Sequence, residues 1–241
     1  MRLNKYIASC GVCSRREADQ LIIDEQVTVN GQIATFAMDV TDADTVLVKG
    51  RPIRIKKKRV YAFYKPIGVT CSKKDEHAER VISDVVMFPE HVTYAGRLDR
   101  DSEGLMIMTN DGDLIDQMMR SSAGHEKEYV VRVHQEITPD FLNTLRGGMH
   151  LTKLDVDTRP CKVEQKDEKC FHIILTQGFN RQIRRMCGQL GYQVTNIKRI
   201  RVVNIELGEL RPGEWREVTG DELHELYRRV RKNPKPRRFF K

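Results

Sequence analysis

Apolar residues recur at helical spacing at Leu3, Tyr6 and Ile7, stop at Gly11, and resume at Ala18, Leu21 and Ile22. This spacing predicts two short helices separated by a turn. Ser14-Arg15-Arg16-Glu17 opens the second as a capping box: the serine oxygen can accept the Glu17 backbone N–H while the glutamate reaches back. The period then changes to two. Val27-Thr-Val-Asn-Gly-Gln-Ile33 is a pair of alternating runs around Asn30-Gly31, a hairpin signal, and residues 45–49 form another strand before Gly50. These elements predict one compact unit over residues 1–50. A basic linker follows at 51–59, then a longer domain at 60–227 and a basic tail at 228–241.

In the longer domain the apolar runs 60–64, 105–109, 129–133, 171–176 and 194–205 predict strands. Helices begin at Thr138-Pro139-Asp140, at Asn180 and at Thr219-Gly-Asp-Glu222, the last another capping box. Strands and helices do not alternate regularly, so the predicted class is α+β rather than a doubly wound parallel sheet. In the helix after Asn180, Ile183, Met186, Cys187 and Leu190 make one buried stripe. Arg181 and Arg185 point away from that stripe and Arg184 lies at its border, placed for a partly buried ion pair.

The chain of 241 residues is 39% apolar and 32% charged, with a net charge of +8. No apolar run approaches the roughly 18 residues needed to cross a bilayer, and the N-terminus lacks the apolar stretch of a signal peptide. A cytoplasmic protein is expected. The last fourteen residues carry eight basic side chains and no acidic one, and further bases cluster at 51–59, 181–185 and 198–201, a distribution suited to a phosphate-bearing partner. Of the six cysteines only Cys10 and Cys13 have metal-like spacing, and nothing nearby completes a tetrahedral site. Free thiols and no metal are expected. Asp99, Asp101, Glu103 and Gly104 match positions 1, 3, 5 and 6 of a calcium loop, but position 12 is Asn110 and two arginines flank the carboxylates. Calcium is disfavoured.

Arg2, Lys5, Arg15 and Arg16 fall at or near the starts of the two short helices, where backbone N–H groups and guanidinium groups can bind phosphate. By spacing alone a solvated helical face explains them equally well. The patterns Arg2-Leu-Asn-Lys-Tyr-Ile, Cys13-Ser-Arg-Arg-Glu-Ala-Asp and Val27-Thr-Val-Asn-Gly resemble, in order and spacing, the αL RNA-binding module known as the "S-four" domain of a small-subunit ribosomal protein. The resemblance implies that these four residues contact RNA.

Gly96-Arg-Leu-Asp-Arg-Asp-Ser-Glu-Gly-Leu105 resembles the catalytic motif of RsuA/RluF-type pseudouridine synthases. Three more segments resemble the family's motifs in its order: Tyr64-Lys-Pro-Ile-Gly-Val69, Lys127-Glu-Tyr129 and Gly178-Phe-Asn-Arg-Gln-Ile-Arg-Arg-Met186. The resemblance covers all but the tail. It implies a second domain with a central mixed, mainly antiparallel sheet and isomerisation of uridine to pseudouridine without a cofactor. Asp99 would be the nucleophile, attacking C6 of the base or C1′ of the sugar. Tyr129 would stack on the base and Arg184 would pair with Asp99, while Asp101 would merely belong to the turn. Lys65, Arg97, Lys127, Arg181 and Arg185 would meet RNA, with Arg97 also able to fill the space left by an extruded base. Ile197 would floor the base pocket. The implied partner is a ribosomal RNA stem-loop, most simply of the large subunit, with tRNA as an additional target, and the implied enzyme is a monomer. The rivals are a non-catalytic RNA-binding or assembly protein retaining the fold and a metal-dependent nuclease.

Overall fold

The structure is a computed structural model that describes residues 1–71 and 79–231. It divides into two compact units, one of residues 1–59 with 88–93 and 109–112, the other holding the rest of the chain from Val60.

In the first unit, helices α1 (Leu3–Ser9) and α2 (Arg15–Ile23) pack with strands β1 (Val27–Val29), β2 (Gln32–Ile33), β3 (Val46–Val48) and β4 (Arg51–Pro52), in sheet order β2-β1-β3-β4. Leu3, Tyr6, Ile7, Ala18, Ile22, Val27, Val29, Val46 and Val48 form its core. The capping box at Ser14 is present in both directions, at 2.7 and 3.2 Å. Asn30 and Gly31 both have positive φ, so the hairpin turns where the Asn-Gly pair predicted. The basic run 51–59 is not a free linker. Its first two residues pair with β3, the Asn110 side chain bridges the Lys57 carbonyl and the Arg59 N–H, and Lys58 pairs with Asp111 at 3.0 Å.

The second unit is built from β5 (Val60–Lys65), β6 (Thr93–Tyr94), β7 (Glu103–Thr109), α3 (Gly112–Met119), β8 (Lys127–Val133), α4 (Pro139–Gly147), β9 (His150–Leu151) and β10 (Val156–Asp157), with Thr93, Thr109 and Gly112 counted in the first unit. It continues with β11 (Lys162–Asp167), β12 (Cys170–Leu175), α5 (Gln182–Gln189), β13 (Val194–Val202), β14 (Ile205–Glu206), β15 (Trp215–Glu217) and α6 (Gly220–Arg231). The central sheet runs β11-β12-β8-β13-β7-β5-β15. Its pairs are antiparallel at β11–β12, β12–β8, β8–β13 and β5–β15, and parallel where β13 meets β7. The fold is therefore α+β with a mixed, mainly antiparallel sheet.

Helices α4 and α5 bury Phe141, Leu145, Ile183, Met186 and Cys187 against Val131, Phe171, Ile173 and Ile197. Leu114, Met118, Leu226 and Val230 of α3 and α6 pack with Val60, Ala62, Leu105 and Ile107. Several elements depart from the sequence expectation. Helix α3 has only two fully buried apolar positions, Leu114 and Met118, too few to stand out as a stripe. Strand β11 buries only Val163 and presents charged residues to solvent. The strand expected over 194–205 breaks at Val203, where φ is +58°, into β13 and β14. Helix α6 continues to Arg231, so residues 228–231, assigned to the tail, are its last turn; residues 232–241 lie outside the described residues.

Gly104 fixes the parallel junction. Its φ is +106°, and a Cβ there would sit 2.3 Å from the Arg199 carbonyl oxygen of β13. Backbone cannot yield as a side chain can, so Gly104→Ala should destabilise the protein by about 3 kcal/mol or more, through overpacking added to backbone strain. Gly124→Ala, also at positive φ but with open space around the added atom, should cost about 1 kcal/mol. Equal losses in urea unfolding would contradict the close-approach argument.

Candidate active site

The Asp99 loop enters the second unit between β6 and β7 and turns tightly, with the Ser102 N–H donating to the Asp99 carbonyl at 3.1 Å. Beneath the turn lies Lys65, the last residue of β5, which is 0% exposed. Its ammonium group donates to the carbonyls of Ser102 at 2.7 Å, Pro66 at 2.8 Å and Arg100 at 3.4 Å. Burial drives its pKa down to about 8, against the opposing pull of Cys71 and the carboxylates Asp101, Asp99 and Glu103. Lys65 therefore braces the loop from inside and presents no surface to RNA, which corrects its expected role. The Gly68 N–H adds a further bond to the Arg100 carbonyl, at 2.8 Å.

Above the turn, α5 supplies two arginines. Arg181 occupies the left-handed region at the helix cap, and Arg184 follows at i+3, so both reach the same neighbour. That neighbour is Asp101. Arg181 grips its two carboxylate oxygens at 3.0 and 2.8 Å. The Arg184 Nε lies 3.3 Å from the same carboxylate, while its terminal nitrogens donate to the Asp101 carbonyl at 2.8 Å and the Val194 carbonyl at 3.1 Å. Burial alone would raise the Asp101 pKa, but the hydrogen bond from Arg181 and the charge of both arginines lower it.

The ion pair expected between Arg184 and Asp99 thus falls on Asp101. Among the described residues no side chain hydrogen-bonds or ion-pairs with the half-buried Asp99 carboxylate, although Lys65, Arg181 and Arg184 all feel its charge. Arg181 is a clamp residue with both forks engaged, and Arg185 closes on its own loop, donating to the Asn180 carbonyl and side-chain oxygen at 2.9 and 3.1 Å.

Asp99 borders a cavity of about 460 Å³ that is also lined by Arg97, Lys127, Tyr129, Arg181, Ile197 and Arg199. Cross-strand register sets its floor: Tyr129 of β8 lies opposite Arg199 of β13, which in turn faces Gly104 of β7. Ile197, two residues before Arg199, is buried on the same face. Arg97 is exposed at the rim and Lys127 is half-buried, its pKa lowered to about 8 by burial and by Arg199. Arg2, Arg15 and Arg16 are exposed and Lys5 half-buried at the starts of α1 and α2 in the first unit, where Arg2 also donates to the Ala37 carbonyl at 2.7 Å.

Arg199, counted in the 198–201 basic cluster expected to face a phosphate-bearing partner, is instead only 2% exposed. It donates to the carbonyls of Leu105 at 2.7 Å and Gly96 at 3.3 Å, tying the start of the Asp99 loop to the sheet. Its signal was a charge at an inward position, two after Ile197. The arrangement is a preorganised loop presenting one uncommitted carboxylate to a cleft with an aromatic and an aliphatic floor and a cationic rim. Such a site suits nucleophilic attack on a planar ligand borne by a polyanion. Among the described residues no cluster of side chains could hold a metal ion.

The brace has a pH signature. Folded Lys65 binds a proton less readily than unfolded Lys65, so between about pH 8 and the ordinary lysine value of 10.5 the unfolded state holds more protons and stability rises with pH. The unfolding free energy of the wild type minus that of Lys65→Met should grow across this window in urea titrations. A pH-independent difference would contradict a charged, buried Lys65.

Comparison with known proteins gives two family matches, an S4 domain over residues 1–46 and an RNA pseudouridylate synthase over residues 59–189. The chain is 40% identical over 233 residues to the dual-specificity RNA pseudouridine synthase RluF of Escherichia coli K12, covering 95% of this chain and 79% of that protein. It is 32% identical to the ribosomal large subunit pseudouridine synthase B of Bacillus subtilis, over 93% of this chain and 95% of that one. A solved pseudouridylate synthase aligns with a TM-score of 0.69 at 26% identity, covering 94% of this chain and 99% of that structure.

Proposed function

The chain belongs to the RNA pseudouridylate synthase family with an S4 domain at its N-terminus, and from this we propose that it isomerises a uridine of large-subunit ribosomal RNA with Asp99 as nucleophile. Pseudouridine synthase activity on RNA is the family's chemistry; the target and the residue roles are our reading. The name of the Bacillus subtilis relative supports the large ribosomal subunit, and that of RluF supports a second RNA substrate, for which tRNA is the candidate.

The observation that carries the nucleophile assignment is the contrast between two carboxylates two residues apart. Asp101 is consumed by Arg181 and Arg184, whereas Asp99 borders the cleft with no side chain among the described residues holding it. In the proposed reaction the N1–C1′ bond of uridine breaks, the uracil turns and a C5–C1′ bond forms. The proton on C5 is lost and N1 regains one, so no redox partner or energy source enters. Asp99 bonds transiently to C6 or to C1′ and is released at the end.

Tyr129 offers its ring to the uracil and its hydroxyl to the proton at C5, and Ile197 lies beneath. Arg97 at the rim occupies the space that the extruded base leaves, which offsets part of the unstacking cost of a few kcal/mol. Arg184 acts as a positioning residue through Asp101. Arg2, Lys5, Arg15 and Arg16 give the S4 unit a phosphate-binding surface for the RNA stem. The protein is expected to act as a monomer in the cytoplasm, without metal or cofactor.

Mapping pseudouridine across ribosomal RNA and tRNA in cells with and without the protein identifies the target. On that RNA, Asp99→Asn should abolish product while leaving affinity within about tenfold, because phosphate contacts dominate binding. Asp101→Asn should slow single-turnover conversion by about 10- to 100-fold without abolishing it, since the nucleophile stays but its loop loosens. Retained turnover by Asp99→Asn, or complete loss only in Asp101→Asn, refutes the assignment.

A further inference from the structure

Two buried polar atoms beside the cleft lack partners. Gln177 is 5% exposed and His125 is 7% exposed, and both line the cavity that Asp99 borders. Among the described residues neither the Gln177 Nε2 nor the His125 Nε2 makes a hydrogen bond. Buried polar groups are ordinarily satisfied, so an unmet pair in one cavity points to partners that a ligand supplies.

Their chemistry is fixed by what their other atoms do. The Gln177 Oε1 accepts the Arg159 backbone N–H at 3.2 Å, which sets the amide orientation and leaves its NH₂ group unmet. The other ring nitrogen of His125 bonds the backbone of Gln117, and burial and the charge of Lys127 hold the ring toward its neutral form. With that nitrogen donating to a carbonyl, the unmet Nε2 is a lone-pair acceptor. The two residues also share a place in the fold. The last β8–β12 pair is Lys127 opposite Leu175, and His125 and Gln177 each lie two residues beyond it, at the same end of the sheet and in the same cavity.

We propose that Gln177 and His125 read the Watson–Crick edge of the target base, Gln177 donating to O4 of uracil and His125 accepting its N3–H. Uracil carries an acceptor and a donor at adjacent positions on this edge. Cytosine reverses both, with an amino group at C4 and a lone pair at N3, so both contacts become mismatched. The pair would make the cleft selective for uridine over cytidine through side chains separate from the nucleophile. The inference rests on the base docking at Asp99.

The test uses the full-length protein carrying Asp99→Asn, so that no turnover intervenes, and synthetic stem-loops of the mapped site. These carry uridine, 4-thiouridine (which keeps N3–H but replaces O4 by the poor acceptor sulfur), 3-methyluridine or cytidine at the target position and are compared by equilibrium binding. Each replacement of uridine should weaken binding at least tenfold. Adding Gln177→Leu should reduce the loss for 4-thiouridine to within about twofold, and His125→Phe should do the same for 3-methyluridine. Equal binding of all four RNAs overturns the inference, as do folded variants that keep the parent's discrimination. Should a variant not fold, the analogue series on the parent decides, because a cleft indifferent to O4 and N3–H cannot be reading them. Failure of the Asp99 assignment appears separately, as pseudouridine formed from the uridine stem-loop by Asp99→Asn.

Discussion

The site depends on a clamp: one carboxylate, Asp101, held by two arginines from the start of a helix about eighty residues away in sequence. A bidentate guanidinium contact fixes both distance and orientation, and the second arginine adds charge and a backbone bond. With both guanidinium groups on Asp101, no side chain among the described residues hydrogen-bonds Asp99, which borders the cleft. The loop is also held from below by a buried ammonium group bonded to three carbonyls and from the sheet side by Arg199. Four cations therefore support one short turn, which suits a step whose rate depends on near-attack geometry.

The sheet converts this local rigidity into a shaped site. The parallel contact of β7 and β13 is close enough that only glycine is accommodated at position 104. That contact sets Arg199 beside the loop and Tyr129 one strand further along. Asp99, the Tyr129 ring and the polar side chains of Gln177 and His125 thus reach one cleft from separate chain segments arranged around one sheet. A flat, hydrogen-bonding ligand fits such a cleft better than an extended chain does.

Much of this was legible in the sequence. The Asn30-Gly31 hairpin, the capping box at Ser14 and the Thr138-Pro139 helix start rely on local chemistry, and local chemistry is what a sequence displays. The α5 stripe predicted that Arg184 would be partly buried, and it is, with 14% of its side chain exposed, although Arg185 is half-buried too. The expected pairing of Arg184 with Asp99 was implied by the family resemblance, and helix spacing, which says which face a side chain occupies, could not tell which of two nearby carboxylates it meets. Lys65 was expected to meet RNA because its segment resembles the family motif that lines the cleft. Its burial follows from three carbonyls brought together by segments 66, 100 and 102, a long-range arrangement with no local signature. Gln177 and His125 have no signature at all, since an unmet hydrogen bond exists only in three dimensions.

The most direct measurement is a crystal structure of the protein with its RNA carrying 5-fluorouridine at the target position. The account predicts a covalent link from the Asp99 carboxylate to the everted nucleotide while Arg181 and Arg184 remain on Asp101. A nucleotide bonded to Asp101, or an Asp99 turned away from the base, would contradict it.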